Sequence, residues 1–193
     1  MSKIKSGKFI AVDTSTNSLA FAIFSSDKLS LVGKILFEGT DIYQKCIDAS
    51  KKIKTFLDHP SFSNIDSLII EHTVFMNSPK TAADLALIQG AIIGAAGSSG
   101  IKTIGKVSPI TWQNYIGNKK LTKDELFLIK KQNPGKSEGW YKGYARGIRK
   151  ERTIKFININ YDKELTDNDV ADACGIGHWA LNNWDKAIGK NES

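Results

Sequence analysis

Cysteine and histidine are scarce in this chain, two of one and three of the other in 193 residues, and no pair of cysteines has Cys-x-x-Cys spacing. That excludes a disulfide-stapled scaffold and a thiolate zinc site, and it fits a reducing compartment. Cys46 and Cys174 read as small core residues. Long apolar runs are also missing. The most apolar stretch, Leu85 to Ala96, falls short of the ~20 residues a bilayer requires. The basic start, Met1 to Lys8, leads into an apolar run that Asp13, Thr14, Ser15 and Thr16 interrupt, so it makes no signal peptide. Gly135-Lys136-Ser137 lacks the preceding glycine and strand of a phosphate loop. No internal repeat is present. The expectation is a soluble, cytoplasmic protein with no membrane partner and no nucleotide cofactor.

Acids are outnumbered, 20 against 27 lysines and arginines, for a net charge of +7. A pI near 9.3 favours a polyanionic partner, nucleic acid first. With 41% apolar residues the length suits one domain, residues 1–193, with a sizeable core.

The strands are read from short apolar runs. Phe9 to Val12 ends on Asp13, which predicts a central strand delivering a carboxylate to its edge. Leu19 to Phe24 and Leu29 to Phe37 follow as second and third strands across a hairpin-length connection. Asp41 to Leu57 changes to a helical period. Ile65 to Ile70 is another buried strand, and it ends on Glu71 just as the first ends on Asp13. Pro79 to Ala96 predicts a long helix whose many alanines and glycines permit close approach of its own sheet or of a partner subunit. Ile101 to Val107 and Pro109 to Ile116 complete a β-β-β-α-β-α-β-α order. This predicts an α/β fold with a central mixed five-stranded sheet flanked by helices.

Between residues 119 and 155 the composition shifts, with twelve lysines and arginines against four acids. Lys119, Lys120, Lys123, Lys142, Arg146, Arg149 and Lys150 are candidate phosphate contacts. Pro134 to Tyr144, with Lys136 and Trp140, predicts a mobile glycine-rich loop able to stack on bases. Arg149 to Ile159 predicts a helix with a basic side.

The last helix is predicted to start at Thr166 as its N-cap, with Asp167, Asn168 and Asp169 in the first turn. Asp169 and Asp172, three apart, share a face, and small residues from Ala173 to Gly177 let that helix lie against a neighbour. Two carboxylates ~5 Å apart repel by about 3 kcal/mol at an effective dielectric of ~20, against about 0.3–1 kcal/mol gained by each from the helix dipole. Such a pair is either a solvated helix start or a cation site. Asp13 and Glu71 decide between these. If all four acids meet at one end of the sheet they require a cation, and oxygen-only donors select Mg²⁺ or Mn²⁺ over zinc.

At these residues the sequence resembles the RuvC family of Holliday junction resolvases, within the RNase H-like superfamily. The matches are Ile10-Ala-Val-Asp13-Thr-Ser, Ile69-Ile70-Glu71 followed by Phe75-Met76, the small-residue helix Ala82 to Ala96, and Asp169-Val-Ala-Asp172-Ala173, in order over almost the whole chain. The resemblance implies a homodimer that nicks opposed strands of a four-way DNA junction with two Mg²⁺ or Mn²⁺ ions per site, held by Asp13, Glu71, Asp169 and Asp172. It also implies an aromatic probing unpaired bases, for which Phe75 is the candidate, and a lysine near the scissile phosphate, for which Lys119, Lys120 and Lys123 are candidates. The long basic segment resembles phage-encoded relatives, which would place the protein in a host cytoplasm and leaves flaps and forks open as substrates. Ile10 to Ser18 is also similar to the first phosphate loop of the actin and sugar-kinase superfamily, an alternative that shares the core but does not require the paired aspartates. A junction-binding scaffold without cleavage is the third reading.

Overall fold

A computed structural model of the chain describes residues 7–72 and 78–190. Its strands are β1 (Lys8–Thr14), β2 (Ser18–Ser25), β3 (Lys28–Leu36), β4 (Ile65–Glu71) and β5 (Thr103–Val107), in the sheet order β3-β2-β1-β4-β5. β1 and β2, and β2 and β3, pair antiparallel; β1 with β4 and β4 with β5 pair parallel. The predicted mixed five-stranded sheet is the one observed. β1 and β4 lie inside the sheet and are covered on both faces, which is why they read as unbroken apolar runs rather than alternating ones.

Helices cover both faces. α1 (Ile42–Leu57) and α2 (Pro79–Ser98) lie on one, where Ala49, Ile53, Ile88 and Ile92 meet Ile10, Val12, Leu68 and Ile70. α3 (Pro109–Tyr115), α5 (Glu138–Tyr161) and α6 (Asn168–Asn182) supply the other, where Trp112, Ile157 and Ile176 meet Phe9, Ala11 and Ile69. The even and odd residues of β1 therefore feed separate cores, as strand alternation requires. α2 runs 20 residues rather than the shorter apolar stretch, so by length and composition it is capable of spanning a membrane. In this fold it buries Leu85, Ile88, Ile92, Ala95 and Ala96 on the sheet side.

Three sequence expectations are corrected. Residues 138–144 belong to a helix and not to a mobile loop. Ser137 caps α5, accepting from the Trp140 N–H at 3.2 Å; Trp140 and Tyr144, one turn apart, stack with centroids 5.0 Å apart; and Tyr141 is buried. Capping, stacking and burial outweigh the ~1 kcal/mol that each helical glycine costs, so the helix expected over 149–159 is the second half of α5. α4 (Lys123–Gln132), read only as basic composition, is a helix closed by a capping box between Thr122 and Glu125. The cap of α6 is Asp167 rather than Thr166, since the Asp167 carboxylate accepts from the N–H groups of Asp169 and Val170. A short helix, α7 (Trp184–Ala187), follows α6.

Candidate active site

The β1–β4 register sets the site. Val12 pairs with Ile70, so the next rung places Asp13 beside Glu71. Asp13 continues the row Phe9, Ala11, and Glu71 follows Ile69, so both face the layer that holds α6. α6 comes close because it carries no side chains where it crosses Trp112 and Phe24. A Cβ at Gly175 would stand 2.6 Å from the Trp112 ring, and one at Gly177 would collide with the Phe24 ring. This approach brings Asp172, on the second turn of α6, over the ends of β1 and β4.

The electrostatics record the meeting. Burial raises the Asp13 carboxyl well above the usual carboxylate range, and Glu71, Asp172 and Asp169 raise it further, in that order. Asp172 is pushed up to about 7, by burial first and then by Glu71, while Lys150 and the Thr153 hydroxyl hold it down. Glu71 is raised by burial and eased by the indole N–H of Trp112, which donates to its Oε2 at 2.8 Å. Asp169 stands further out. Lys34, on the edge strand β3, donates to Asp169 Oδ2 at 2.5 Å and to Asp167 Oδ2 at 3.2 Å. Among the described residues no three Asp, Glu, His or Cys side chains form a closed ligand set; Glu71 accepts from Trp112 and Asp169 pairs with Lys34. The donor chemistry nonetheless suits a hard divalent cation, being carboxylate oxygen throughout and strained by its own charge.

No protein-family model and no curated protein matches the sequence. Solved structures do match. Thermus thermophilus RuvC in complex with a Holliday junction substrate superposes with a TM-score of 0.64 at 10% identity, over 94% of this chain and 98% of that one. A second Thermus thermophilus RuvC structure gives 0.61 at 10% identity, over 94% and 96%. The fold is that of RuvC.

Within this RuvC fold the other candidate residues separate. Lys119, Lys120, Lys123, Lys136, Lys142 and Arg146 are exposed, and Lys136 lies 5.7 Å over the half-buried Trp140 ring. Lys150 is half-buried, and of the candidate cations it is the one whose charge reaches Asp172. Arg149 differs from its neighbours. Its guanidinium donates to Gln113 Oε1 and its carbonyl accepts from Asn118 Nδ2, so it ties α5 to the end of α3. Phe75 lies outside the described residues. His72 is exposed, and its backbone N–H donates to the Val107 carbonyl at 2.8 Å, extending the β4–β5 edge.

Four residues around the acids escaped the sequence reading. Trp112 lies within the short helix predicted over Pro109 to Ile116, with nothing nearby in the sequence to pair it with an acid. Lys34 sits on the far edge of the sheet, 135 residues before Asp169. Thr153, one turn after Lys150 and Arg149, is buried and accepts from Asn118 at 2.9 Å. Gln89, on α2, donates to Thr14 Oγ1 at 3.0 Å and to the Glu71 carbonyl at 2.9 Å, linking the ends of the two acid-bearing strands from the opposite face.

Proposed function

We propose that this chain, as a single domain over residues 1–193 with a basic insertion at about 119–155, is a structure-selective endodeoxyribonuclease. It resolves four-way or other branched DNA junctions by divalent-metal-dependent phosphodiester hydrolysis. The observation that carries the reading is the β1–β4 pairing through Val12 and Ile70, which ends both strands on a carboxylate close enough to Asp172 for their charges to act on one another. Buried carboxylates without cations would be a standing cost to the fold, and a cation-assisted reaction gives that cost a purpose.

Asp13, Glu71, Asp169 and Asp172 hold Mg²⁺ or Mn²⁺, two ions per site. Bound there, the ions lower the pKa of water and stabilise a leaving oxygen in phosphodiester hydrolysis. The protein's own part is positioning. Trp112 fixes the Glu71 carboxylate, Gln89 fixes the strand ends, and Lys150 supplies positive charge where a scissile phosphate approaches Asp172. Phe75, Lys119, Lys120, Lys123, Lys136, Trp140, Lys142 and Arg146 contact DNA, with Arg149 holding α5 in place for them.

A homodimer supplies the two sites that opposed nicks require. Its support is the outward face of α2, where Ala83, Ala86, Leu87, Gly90, Ile93 and Gly94 are exposed and a Cβ at Gly90 or Gly94 would meet nothing within 4 Å. Labelled four-way junction, flap and linear duplex, incubated with wild type and Asp172→Asn in Mg²⁺ and in EDTA, test the proposal. Paired symmetric nicks in the junction, absent with the variant and with EDTA, are expected. Binding without cleavage by the wild type would replace the resolvase with a scaffold.

A further inference from the structure

α4 and the first half of α5 line a groove of about 650 Å³ whose cations are among the proposed DNA contacts and whose apolar part those contacts do not use. Its apolar lining is Leu121, Leu126, Tyr141 and Ala145 with Phe127 at the mouth, and its rim carries Lys120, Lys123, Lys142 and Arg146. The floor has little to offer a base edge or a phosphate. The Tyr141 hydroxyl already donates to the Asn133 carbonyl at 2.5 Å. Lys130, also at the groove, is paired with Glu138 at 2.6 Å, and Arg149 is held by Gln113.

The carbon at the mouth is more telling. Phe127 is 66% exposed, and the adjacent Leu128, outside the groove lining, 52%, large apolar side chains left wet in the middle of a short helix. A duplex whose phosphates met the rim would leave them wet. An occupant that covers them must bring apolar groups and negative charge together, which is the chemistry of an acidic amphipathic helix. The ten residues of α4 extend about 15 Å, room for roughly three turns of such a helix alongside.

We propose that the α4–α5 groove docks an acidic amphipathic segment of a partner protein. Its apolar stripe lies on Phe127, Leu126 and Leu121, and its carboxylates meet Lys120, Lys123, Lys142 and Arg146. The docking needs neither metal nor DNA, but its four cations are among those proposed to contact DNA, so the segment and DNA compete for them.

The test is fluorescence anisotropy with the whole chain and four labelled probes in the absence of metal. One probe is a glutamate-rich helix of about 18 residues with leucine and phenylalanine at i, i+3, i+4 and i+7. The others are the same composition with the apolar residues spread around the helix, oligoglutamate of equal length, and oligothymidylate. The patterned peptide is expected to bind at least about tenfold tighter than the spread one and oligoglutamate, and Phe127→Ser to remove about tenfold of that affinity. Lys142→Glu with Arg146→Glu should abolish binding, while melting temperatures show both variants folded. Equal binding of the three peptides, no peptide binding, or indifference to Phe127→Ser would overturn the proposal. A loss confined to oligothymidylate on Phe127→Ser would overturn it too, and would assign the groove to unpaired bases.

Discussion

At the ends of β1 and β4, three carboxylates share a partly buried space with one indole N–H and the distant charge of Lys150, whereas on the α4–α5 hairpin the cations stand in solvent around an apolar groove. The same kind of charge is costly in the first place and cheap in the second. At about 4 Å a charge pair is worth about 1 kcal/mol in water and about 4 kcal/mol at an effective dielectric of ~20, so burial alone makes the acids interact several times more strongly. On the proposed function, the acidic end is a chemical device that needs a counter-ion. On the same proposal, the hairpin recruits DNA through charges that are individually replaceable. Lys130–Glu138 and Arg152–Glu125, both at 2.6 Å, are exposed or half-exposed pairs that contribute little to stability.

The sharpest break between the regions is Asp172→Asn. Junction cleavage should fall at least about 100-fold while junction affinity stays nearly unchanged, as single-turnover rates and titrations on the same DNA would show. An equal loss of affinity would mean that the two regions are not separable. Trp112→Phe comes next, because it leaves the buried Glu71 carboxylate without its donor and opens space beside Gly175. Denaturant unfolding should show a loss of about 2 kcal/mol, and the acid limb of the cleavage–pH profile should move to higher pH.

For the hairpin, Lys142→Ser with Arg146→Ser should weaken junction binding and lower the slope of log affinity against log salt by about 2, with cleavage at saturating enzyme retained. Arg149 is excluded from that set because it anchors α5 to α3. A slope that does not change would move the DNA face elsewhere.

The acid cluster also predicts a pH dependence of stability. The folded-state pKa values of Asp13, Glu71 and Asp172 lie above their unfolded values, that of Asp172 at about 7. Between about pH 4 and pH 7 the folded protein therefore binds more protons than the unfolded chain, and this contribution to stability is lost as pH rises. Without metal, the melting temperature should fall by a few degrees across that window; millimolar Mg²⁺ should oppose the fall, and Asp172→Asn should flatten it. A rise through the same window in the metal-free protein would contradict the clustering. The smallest effect belongs to Lys34→Ala. Both partners of its ion pair with Asp169 are partly exposed, so stability should change by less than about 1 kcal/mol. A thermal scan that loses much more would show that Lys34 braces α6 against β3.

The ends of two apolar strands on Asp13 and Glu71, and the three-residue spacing of Asp169 and Asp172, were legible because strand and helix periodicities are local rules written in a few neighbouring residues. Other features had local signals that were outweighed. Ser137 and the Trp140–Tyr144 spacing mark a helix start that Gly135, Gly139 and Gly143 argue against, and Thr122-Lys-Asp-Glu125 is a capping box inside a run that reads as mere charge. Nothing local could announce Trp112 as the donor to Glu71, 41 residues away, or Lys34 as the partner of Asp169.

The sequence by itself determined the order of the elements as far as α3, the carboxylate at each of two strand ends and the imbalance of charge toward residues 119–155, since all three follow from composition and period. Only the tertiary structure decided that Val12 pairs with Ile70, that α6 closes on Trp112 and Phe24 through Gly175 and Gly177, and that the basic residues divide between the acid site, an anchor and a groove. Register, helix approach and side-chain partnership depend on contacts between residues far apart in the chain, and such contacts exist only once the core has packed.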